Sequence, residues 1–278
     1  GNGTNDDGAM PPSAGGSLEG DTNEAAPGYV EVTDNQVAGV IEGDLFKRTD
    51  KYIFYLAHNQ LTYFSLDSDS QTIHHCYTLV ESDKAIKIHQ RELYLSADGK
   101  TATVIFSYDG YVKVVSLDVS DPANAQKLGE FTISGRQINT RLSGDKLLLN
   151  TRFEGTRDAK EDELYKYIPY YDMGNGAEYV PAGCIIAPDE ISSQTYNTET
   201  MLDVNDFAHL GTLSYLDNFL NLGWYVSENS IYMWNPISIT TDKVTDGSSV
   251  KWMRYTGAEI VRIEYKNGTL LEKGSVTV

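Results

Sequence analysis

Cysteine, long apolar runs and positive charge are all scarce in this chain of 278 residues. Its two cysteines, Cys76 and Cys184, lie far apart, and both one long-range disulfide and two free thiols fit that count. No apolar run approaches the roughly 20 residues of a membrane-spanning helix. The net charge of −18 disfavours nucleic acid and anionic membrane surfaces as partners. These absences favour an acidic, soluble protein.

Motifs of well-known chemistries are absent as well. The acidic stretch at 67–71 lacks the glycine and the final carboxylate of an EF-hand calcium loop. His74 and His75 are neighbours on a predicted strand, so their side chains point to opposite faces and cannot share one metal ion. No G-x-S-x-G nucleophile motif and no phosphate-binding glycine loop occurs. The sequence therefore predicts no catalytic residue, no metal site and no cofactor.

The first part of the chain differs in composition from the rest. Residues 1–46 contain nine acidic side chains and no Lys or Arg, so they carry half of the net charge. Residues 1–34 have too few apolar side chains to offset the entropy lost on ordering, which predicts a flexible acidic tether. Such tethers commonly separate a folded domain from a membrane or wall anchor. Because the sequence starts without Met or a signal peptide, we expect a targeting segment upstream of it.

A repeated unit organises the remainder of the chain. In each copy an apolar strand ends in an acidic residue, a polar turn follows, and a second strand returns. The acidic residues of the four copies are Asp67, Asp118, Asp203 and Glu264. In the second copy Asp121 precedes Pro122, which has a fixed φ and no N–H, and this pair is typical of a turn. Internal repetition of this kind indicates an architecture built from similar units.

Hairpin signals group the strands into four sets. Pairs such as Asp109-Gly110 separate β-type runs, and they tolerate the positive φ of tight hairpins. The sets are roughly 44–82, 86–134, 136–218 and 220–278. We predict an all-β, propeller-like fold over residues 35–278, with about four blades of four antiparallel strands and an insertion at about 154–193. A β-sandwich, the alternative, would not repeat the same turn in every pair of hairpins.

Three stretches give the chain a resemblance to a known family. They are 36–56, 117–124 and 167–181, the last of which lies in the insertion. These stretches resemble secreted bacterial and archaeal proteins that have a beta-propeller domain distantly related to WD repeats. The resemblance implies a propeller that works outside the cytoplasm and belongs to a larger ring. It implies no catalytic residues.

The insertion contains the candidate binding residues. They are Tyr165, Tyr167, Tyr170, Tyr171, Asp172 and Tyr179. The loop is far longer than an ordinary connection, and tyrosine combines a large contact area with a polar group suited to sugars or peptides. The alternative is that these rings only cover the edge of a blade. Trp224 and Trp234 lie in strand-like runs and are expected in the core.

The functional hypothesis is a secreted or surface-anchored interaction module without catalytic activity. It would bind a protein, a peptide or a glycan through loops on one face of the ring, and it would self-associate through open blade edges. An alternative is a hydrolase or lyase acting on polysaccharide, which requires carboxylates that converge on one face of the propeller. A structural role within an envelope protein is a third hypothesis.

Overall fold

A computed structural model describes residues 29–30, 39–67, 72–81, 87–156, 159–187, 194–216, 223–246, 249–265 and 268–278. For residues 29–30 and for the described part of 236–256, it describes only the backbone. In these ranges the chain forms β-strands and three short 3-10 helices, and no α-helix. The predicted tether, residues 1–34, lies outside the described residues apart from the two-residue strand at 29–30.

The strands form four sheets, called blades 1 to 4 in chain order. Blade 1 contains β1 (Tyr29–Val30), β3 (Phe46–Thr49), β4 (Tyr52–Ala57), β5 (Gln60–Ser65) and β6 (His74–Thr78). Blade 2 contains β7 (Arg91–Leu95), β8 (Thr101–Tyr108), β9 (Tyr111–Asp118), β10 (Gln126–Ser134), β13 (Tyr170–Asp172) and β14 (Ala177–Tyr179). Blade 3 contains β2 (Val40–Ile41), β11 (Arg136–Ser143), β12 (Lys146–Glu154), β15 (Ile185–Ile186), β16 (Thr195–Asp203) and β17 (His209–Leu216). Blade 4 contains β18 (Gly223–Val226), β19 (Ser230–Asp246), β20 (Ser249–Glu264) and β21 (Leu271–Thr277).

The predicted all-β propeller fold is confirmed. Each blade has a four-stranded antiparallel meander at its centre, and blades 1, 2 and 3 add short strands at the edges. One of these, β15, pairs in parallel with β17, whereas the predicted strands were all antiparallel. The hairpin of β19 and β20 has strands of 17 and 16 residues, about twice the length of β8 and β9.

Consecutive apolar residues within a single strand pack against the two neighbouring blades. In β8, Val104 and Phe106 pack against blade 1, whereas Ile105 packs against blade 3. In β12, Leu149 faces blade 2 and Leu148 faces blade 4. Because side chains alternate along a strand, each apolar run fills two interfaces at once. Three apolar clusters therefore join the four blades in succession.

The repeated unit of the sequence is the turn between the third and fourth strands of each meander. In blade 2 the Asp118 carboxylate accepts a hydrogen bond from the Ser120 backbone N–H. In blade 3 Asp203 accepts from the backbone N–H groups of Asn205 and Asp206. Asp121 is extended, with φ −121°, and caps the 3-10 helix Pro122–Asn124. The acidic residue is repeated because it fixes the turn.

Residues 40–49 cross the inner strands of three blades, and we call this segment the strap. It begins in blade 3, where Ile41 pairs with Leu142 of β11. It then bridges blade 2, where Asp44 and Leu93 exchange two backbone hydrogen bonds. It ends as β3, the inner strand of the blade 1 meander. An ion pair of 2.8 Å between Glu42 Oε1 and Arg141 Nη2 supports the crossing.

The two tryptophans that were expected in the core differ in their burial. Trp224 packs against the cluster between blades 3 and 4, but Trp234 is 39% exposed, so its expected place in the core was wrong. Neighbouring positions of β19 face opposite sides, and Trp234 lies on the side away from blade 3, above Gly223. Cys76 and Cys184 are both free and belong to different clusters.

Candidate functional site

Three connections meet on one side of the molecule. They are the β8–β9 turn, the β10–β11 junction at Gly135, and the segment that joins β12 to β16. Strands that run up and down place alternate connections at the same end of a blade, so the topology brings all three together. The Gly135 backbone N–H donates to the Gly110 carbonyl at 2.7 Å, which joins the first two. We call this side the insertion face.

The segment that joins β12 to β16 extends both of its neighbouring blades. Its β13–β14 hairpin adds to the outer strand of blade 2, where Thr132 pairs with Asp172 and Ile133 with Tyr171. The Tyr170 backbone N–H donates to Ser134 Oγ at 2.9 Å. Strand pairing therefore fixes this part of the long segment against the body.

Four tyrosines form a continuous line across the insertion face, which we call the tyrosine row. Its members are Tyr108, Tyr111, Tyr170 and Tyr179, and successive ring centroids are 6.3, 6.2 and 6.0 Å apart. The Tyr111 and Tyr170 hydroxyl groups hydrogen-bond at 2.9 Å. Burial, followed by this hydrogen bond, raises the pKa of Tyr170 above its usual value. The Tyr170 phenol is therefore a neutral hydrogen-bonding group.

The other four predicted binding residues lie outside the tyrosine row, and each has different surroundings. Tyr165 is exposed, and its ring lies 5.7 Å from the Lys166 ammonium group. The Tyr167 hydroxyl donates to the Glu161 carbonyl. Tyr171 is buried between blades 2 and 3, where its ring centroid lies 4.5 Å from that of His209. Asp172 accepts from the Gly174 and Gly176 backbone N–H groups and so holds the β13–β14 turn. Of the six, Tyr170 and Tyr179 belong to the row.

A cavity of about 410 Å³ lies beside the row, between the end of blade 2 and the start of blade 3. This volume falls within the range of small-molecule sites. The residues that line it are His89, Gln90, Ser107, Tyr108, Gly110, Tyr111, Gly135, Arg136 and Gln137. Two members of the tyrosine row therefore also form a wall of the cavity.

Two buried polar atoms of the lining have no hydrogen-bond partner within the described part of the chain. They are Ser107 Oγ and Gln137 Oε1, on residues that are 6% and 2% exposed. Such atoms are costly in a folded protein unless a ligand or water satisfies them. Both atoms are also shielded from solvent, so they lie beneath the surface of the cavity.

Gln137 is held by a carboxylate of blade 2. Its Nε2 donates to Glu92 Oε1 at 2.6 Å, and Tyr94 and Thr140 donate to the other carboxylate oxygen. Gly43 of the strap packs directly against Glu92, where even a Cβ atom would clash. Burial raises the pKa of Glu92, while these donors partly oppose the rise. The strap and Glu92 therefore fix the position of the Gln137 amide.

Within the described ranges no three His, Cys, Asp or Glu side chains cluster closely enough to hold a metal ion. The same ranges contain no helix long and apolar enough to cross a membrane.

Four successive blades with a cavity and aromatic side chains on one face define a β-propeller domain, a class that favours a role as an interaction or scaffold module. The chain belongs to the beta propeller domain family, whose pattern matches residues 31–278. None of the curated proteins compared with the chain matches it.

Sequence reasoning missed the residues contributed by blade 2. Tyr108 and Tyr111 flank the Asp109-Gly110 turn, so aromatic side chains on both sides of a hairpin were the signal that could have found them. Ser107 and Gln137 carried no such signal, because their unpaired atoms depend on the meeting of two blades.

Proposed function

We propose that this chain is an extracytoplasmic interaction module that binds a partner through its insertion face, without catalysis. The observation that supports it is the continuity of the tyrosine row with a cavity on the same face. Tyrosine is favoured at binding surfaces because its ring is large, rigid and polar at one end. The partner is a protein, a peptide or a glycan that lies along the row.

An extracytoplasmic location is supported by two features of the sequence. One is the acidic segment 1–34, which has the composition of a spacer. The other is the resemblance to secreted proteins with propeller domains. Fractionation of cells that express the full-length gene product, followed by detection of the chain, tests the location. Recovery of the chain in the cytoplasmic fraction would contradict it.

The binding test uses exposed side chains so that the fold survives. Tyr165→Ala combined with Tyr179→Ala removes two rings that are 50% and 41% exposed. Binding to immobilised cell-wall polysaccharides and to secreted proteins is measured for this variant and for Tyr225→Ala, a control ring on blade 4 that is 42% exposed. We expect the double variant to lose most of the binding and the control to keep it. Equal binding by both would exclude the insertion face.

The alternative, a polysaccharide hydrolase or lyase, lacks support at this site. No Asp or Glu is among the described residues that line the cavity. The two carboxyl groups with a raised pKa in the described ranges are Glu92, mostly enclosed beneath the strap, and Glu199, which is fully buried. A glycosidase pair must flank a substrate bond, and neither group reaches the cavity wall.

A further inference from the structure

We propose that a groove between the outer edges of blades 1 and 2 binds an extended peptide strand of a partner protein, which pairs with the edge of β6. The assignment rests on the proposed binding role of the insertion face, and it narrows the partner of that face to one class. Three features carry it: an unpaired strand edge, an exposed sheet beside that edge, and a cavity that follows both. We call this region the β6 groove.

The outer edge of β6 has no strand partner among the described residues. In blades 2 and 3 the fourth strand of the meander, β10 or β17, receives a further strand from the segment that joins β12 to β16. The fourth strand of blade 1 is β6, and it receives none within the same ranges. An unpaired edge presents backbone N–H and C=O groups that can accept an added strand.

The register of β6 identifies a backbone donor on this edge. The Leu79 backbone N–H donates to the Asn59 carbonyl in the β4–β5 turn at 3.0 Å, so it points toward β5. Directions alternate along a strand, and Thr78, which pairs with Gln60, therefore directs its N–H away from β5. The Asn59 side chain bonds both the N–H and the carbonyl of Val80, which fixes this end of β6.

Blade 2 provides the floor of the groove. The sheet of blade 1 ends at β6, whereas that of blade 2 continues past its fourth strand with β13 and β14. Val115 packs against blade 1 and pairs with Glu130, so Glu130 and Lys113 lie on the side of blade 2 that faces blade 1. The side chains of Lys127 and Glu130 are 43% and 31% exposed, which shows that this part of the floor is open.

The tyrosine row continues this floor toward the insertion face. Tyr111 precedes Val115 by four positions on β9, so it lies on the same side of the sheet. Tyr170 and Tyr179 extend the row across β13 and β14, the two strands that blade 1 does not match. A strand added to β6 would therefore place alternate side chains over the floor, next to the row.

A cavity of about 450 Å³ follows the corner between the edge and the floor. Residues 75–81 form one wall, and Lys113, Lys127 and Glu130 form the other. The two ammonium groups contact Glu130 Oε2 at 3.0 and 2.8 Å, and Glu81 also belongs to the lining. Two lysines and two glutamates leave no net charge to select a ligand. The strand edge selects it instead, because a glycan lacks the regularly spaced N–H and C=O groups that pair with a strand.

The outer strand of blade 4, β21, is a weaker candidate for the same role. Its outer edge also has no partner among the strands that the structure describes. Nearly all of its side chains are exposed, so a strand added there would gain backbone hydrogen bonds without a neighbouring sheet to pack on.

Synthetic peptides test the pairing directly. Peptides are selected from a displayed library of random dodecapeptides against the full chain and then synthesised with capped ends. Two further forms of each carry N-methyl groups at the odd or at the even residues, and each form lacks the N–H donors of one edge. By isothermal titration we expect the unmethylated peptide to bind and only one methylated form to lose affinity, by about tenfold. Cellohexaose, the glycan probe, should not bind.

The decisive variant is Thr78→Pro, with Thr78→Ala as its control. Both changes remove the Thr78 hydroxyl, which hydrogen-bonds His75 Nε2 at 3.0 Å, but only proline removes the outward N–H. Proline is accepted on an edge strand where the N–H faces outward, so both variants should fold, and urea denaturation checks this. We expect the proline variant to bind the peptides about tenfold more weakly than the alanine variant.

Several results would overturn the assignment. They are a selection that yields no binding peptide, equal affinity of the two methylated forms, equal peptide affinity of the folded proline and alanine variants, or binding of cellohexaose. If the proline variant does not fold, the methylated peptides decide the question on the unmodified chain. If the Tyr165 and Tyr179 double variant still lost its partner in those cases, the binding role of the insertion face would stand and strand docking alone would fall.

Discussion

The hydroxyl groups of Tyr111 and Tyr170 hydrogen-bond at 2.9 Å although the residues are 59 positions apart. Tyr111 begins β9 of blade 2, whereas Tyr170 belongs to a segment that leaves blade 3. The contact links the added β13–β14 hairpin to the start of β9 within the sheet of blade 2, and it aligns the middle of the tyrosine row. Loss of this hydrogen bond should therefore reduce both the stability of the insertion face and the order of its side chains.

We expect Tyr111→Phe and Tyr170→Phe each to lower the free energy of unfolding by about 1 kcal/mol, because each removes the same hydrogen bond. The double variant should be little worse than either single one. Urea denaturation measures the three differences. If the two effects simply add, the hydroxyl groups do not interact in solution.

Gly135 is expected to tolerate no side chain. Its φ is +105°, and a Cβ atom would lie 2.5 Å from the Arg152 carbonyl oxygen. Gly135→Ala should lower the free energy of unfolding by about 2 kcal/mol or more, because strain and a backbone clash combine. Gly144→Ala is the control, since Gly144 has a φ of +60° with open space around it, and this change should cost about 1 kcal/mol. Equal losses in urea denaturation would show that the junction relaxes.

The buried carboxyl group of Glu199 should make the stability of the fold depend on pH. Burial raises its pKa from about 4.5 to about 8, although Asn150 and Trp224 donate hydrogen bonds to it. Between these values the unfolded chain releases a proton that the folded chain keeps, so the contribution of Glu199 to stability falls as pH rises from about 4.5 to 8. Glu199→Gln, which cannot ionise, should be similar in stability near pH 4 and more stable at pH 8, by an amount on the order of 3 kcal/mol.

Urea denaturation at several pH values tests this behaviour. The exposed substitution Glu161→Gln is the control, and it should leave the pH dependence of the unmodified chain unchanged. A Glu199→Gln variant whose stability parallels that of the unmodified chain at every pH would show that Glu199 does not hold a proton in the fold.

The two thiols should react at very different rates. Cys76 is 8% exposed, and burial raises its pKa to about 12, so it presents almost no thiolate at neutral pH. Cys184 is half-buried and should react first with a disulfide reagent. The Cys184→Ser variant should lose the fast phase. After unfolding without reductant both thiols of the unmodified chain should react, and a count of zero would show a disulfide.

Exposed aromatic side chains on the face of blade 4 that points away from blade 3 should drive self-association. Trp234 and Tyr225 are 39% and 42% exposed, on the side away from blade 3. Exposed aromatic patches of this kind favour contact with a second copy. Sedimentation velocity should show association that grows with concentration, and Trp234→Ser should reduce it while the exposed control Tyr165→Ser does not. A strict monomer at high concentration would contradict the prediction.

The four sheets could be predicted because their signals are local. Asp109-Gly110 has positive φ at both residues, as a tight hairpin requires, and Asp118 and Asp203 fix equivalent turns. The tyrosines of the insertion could be identified from the amino-acid composition of that stretch. The strap was not predictable, since Ile41 and Leu142 are about 100 residues apart and their pairing leaves no signal in the local sequence. The cavity was also hidden, because Ser107 and Gln137 are ordinary polar residues until two blades enclose them.

The strap pairs residues that are synthesised at different times, which affects how the chain folds during translation. Val40 and Ile41 leave the ribosome about 100 residues before Ser143 and Leu142, the residues with which they pair. At translation rates of roughly 5 to 20 residues per second, these two residues wait about 5 to 20 seconds for their partners. During synthesis blade 1 therefore starts without the pairing of β2, and closure of the strap over Glu92 and Arg141 must follow the synthesis of β11, the first strand of the blade 3 meander.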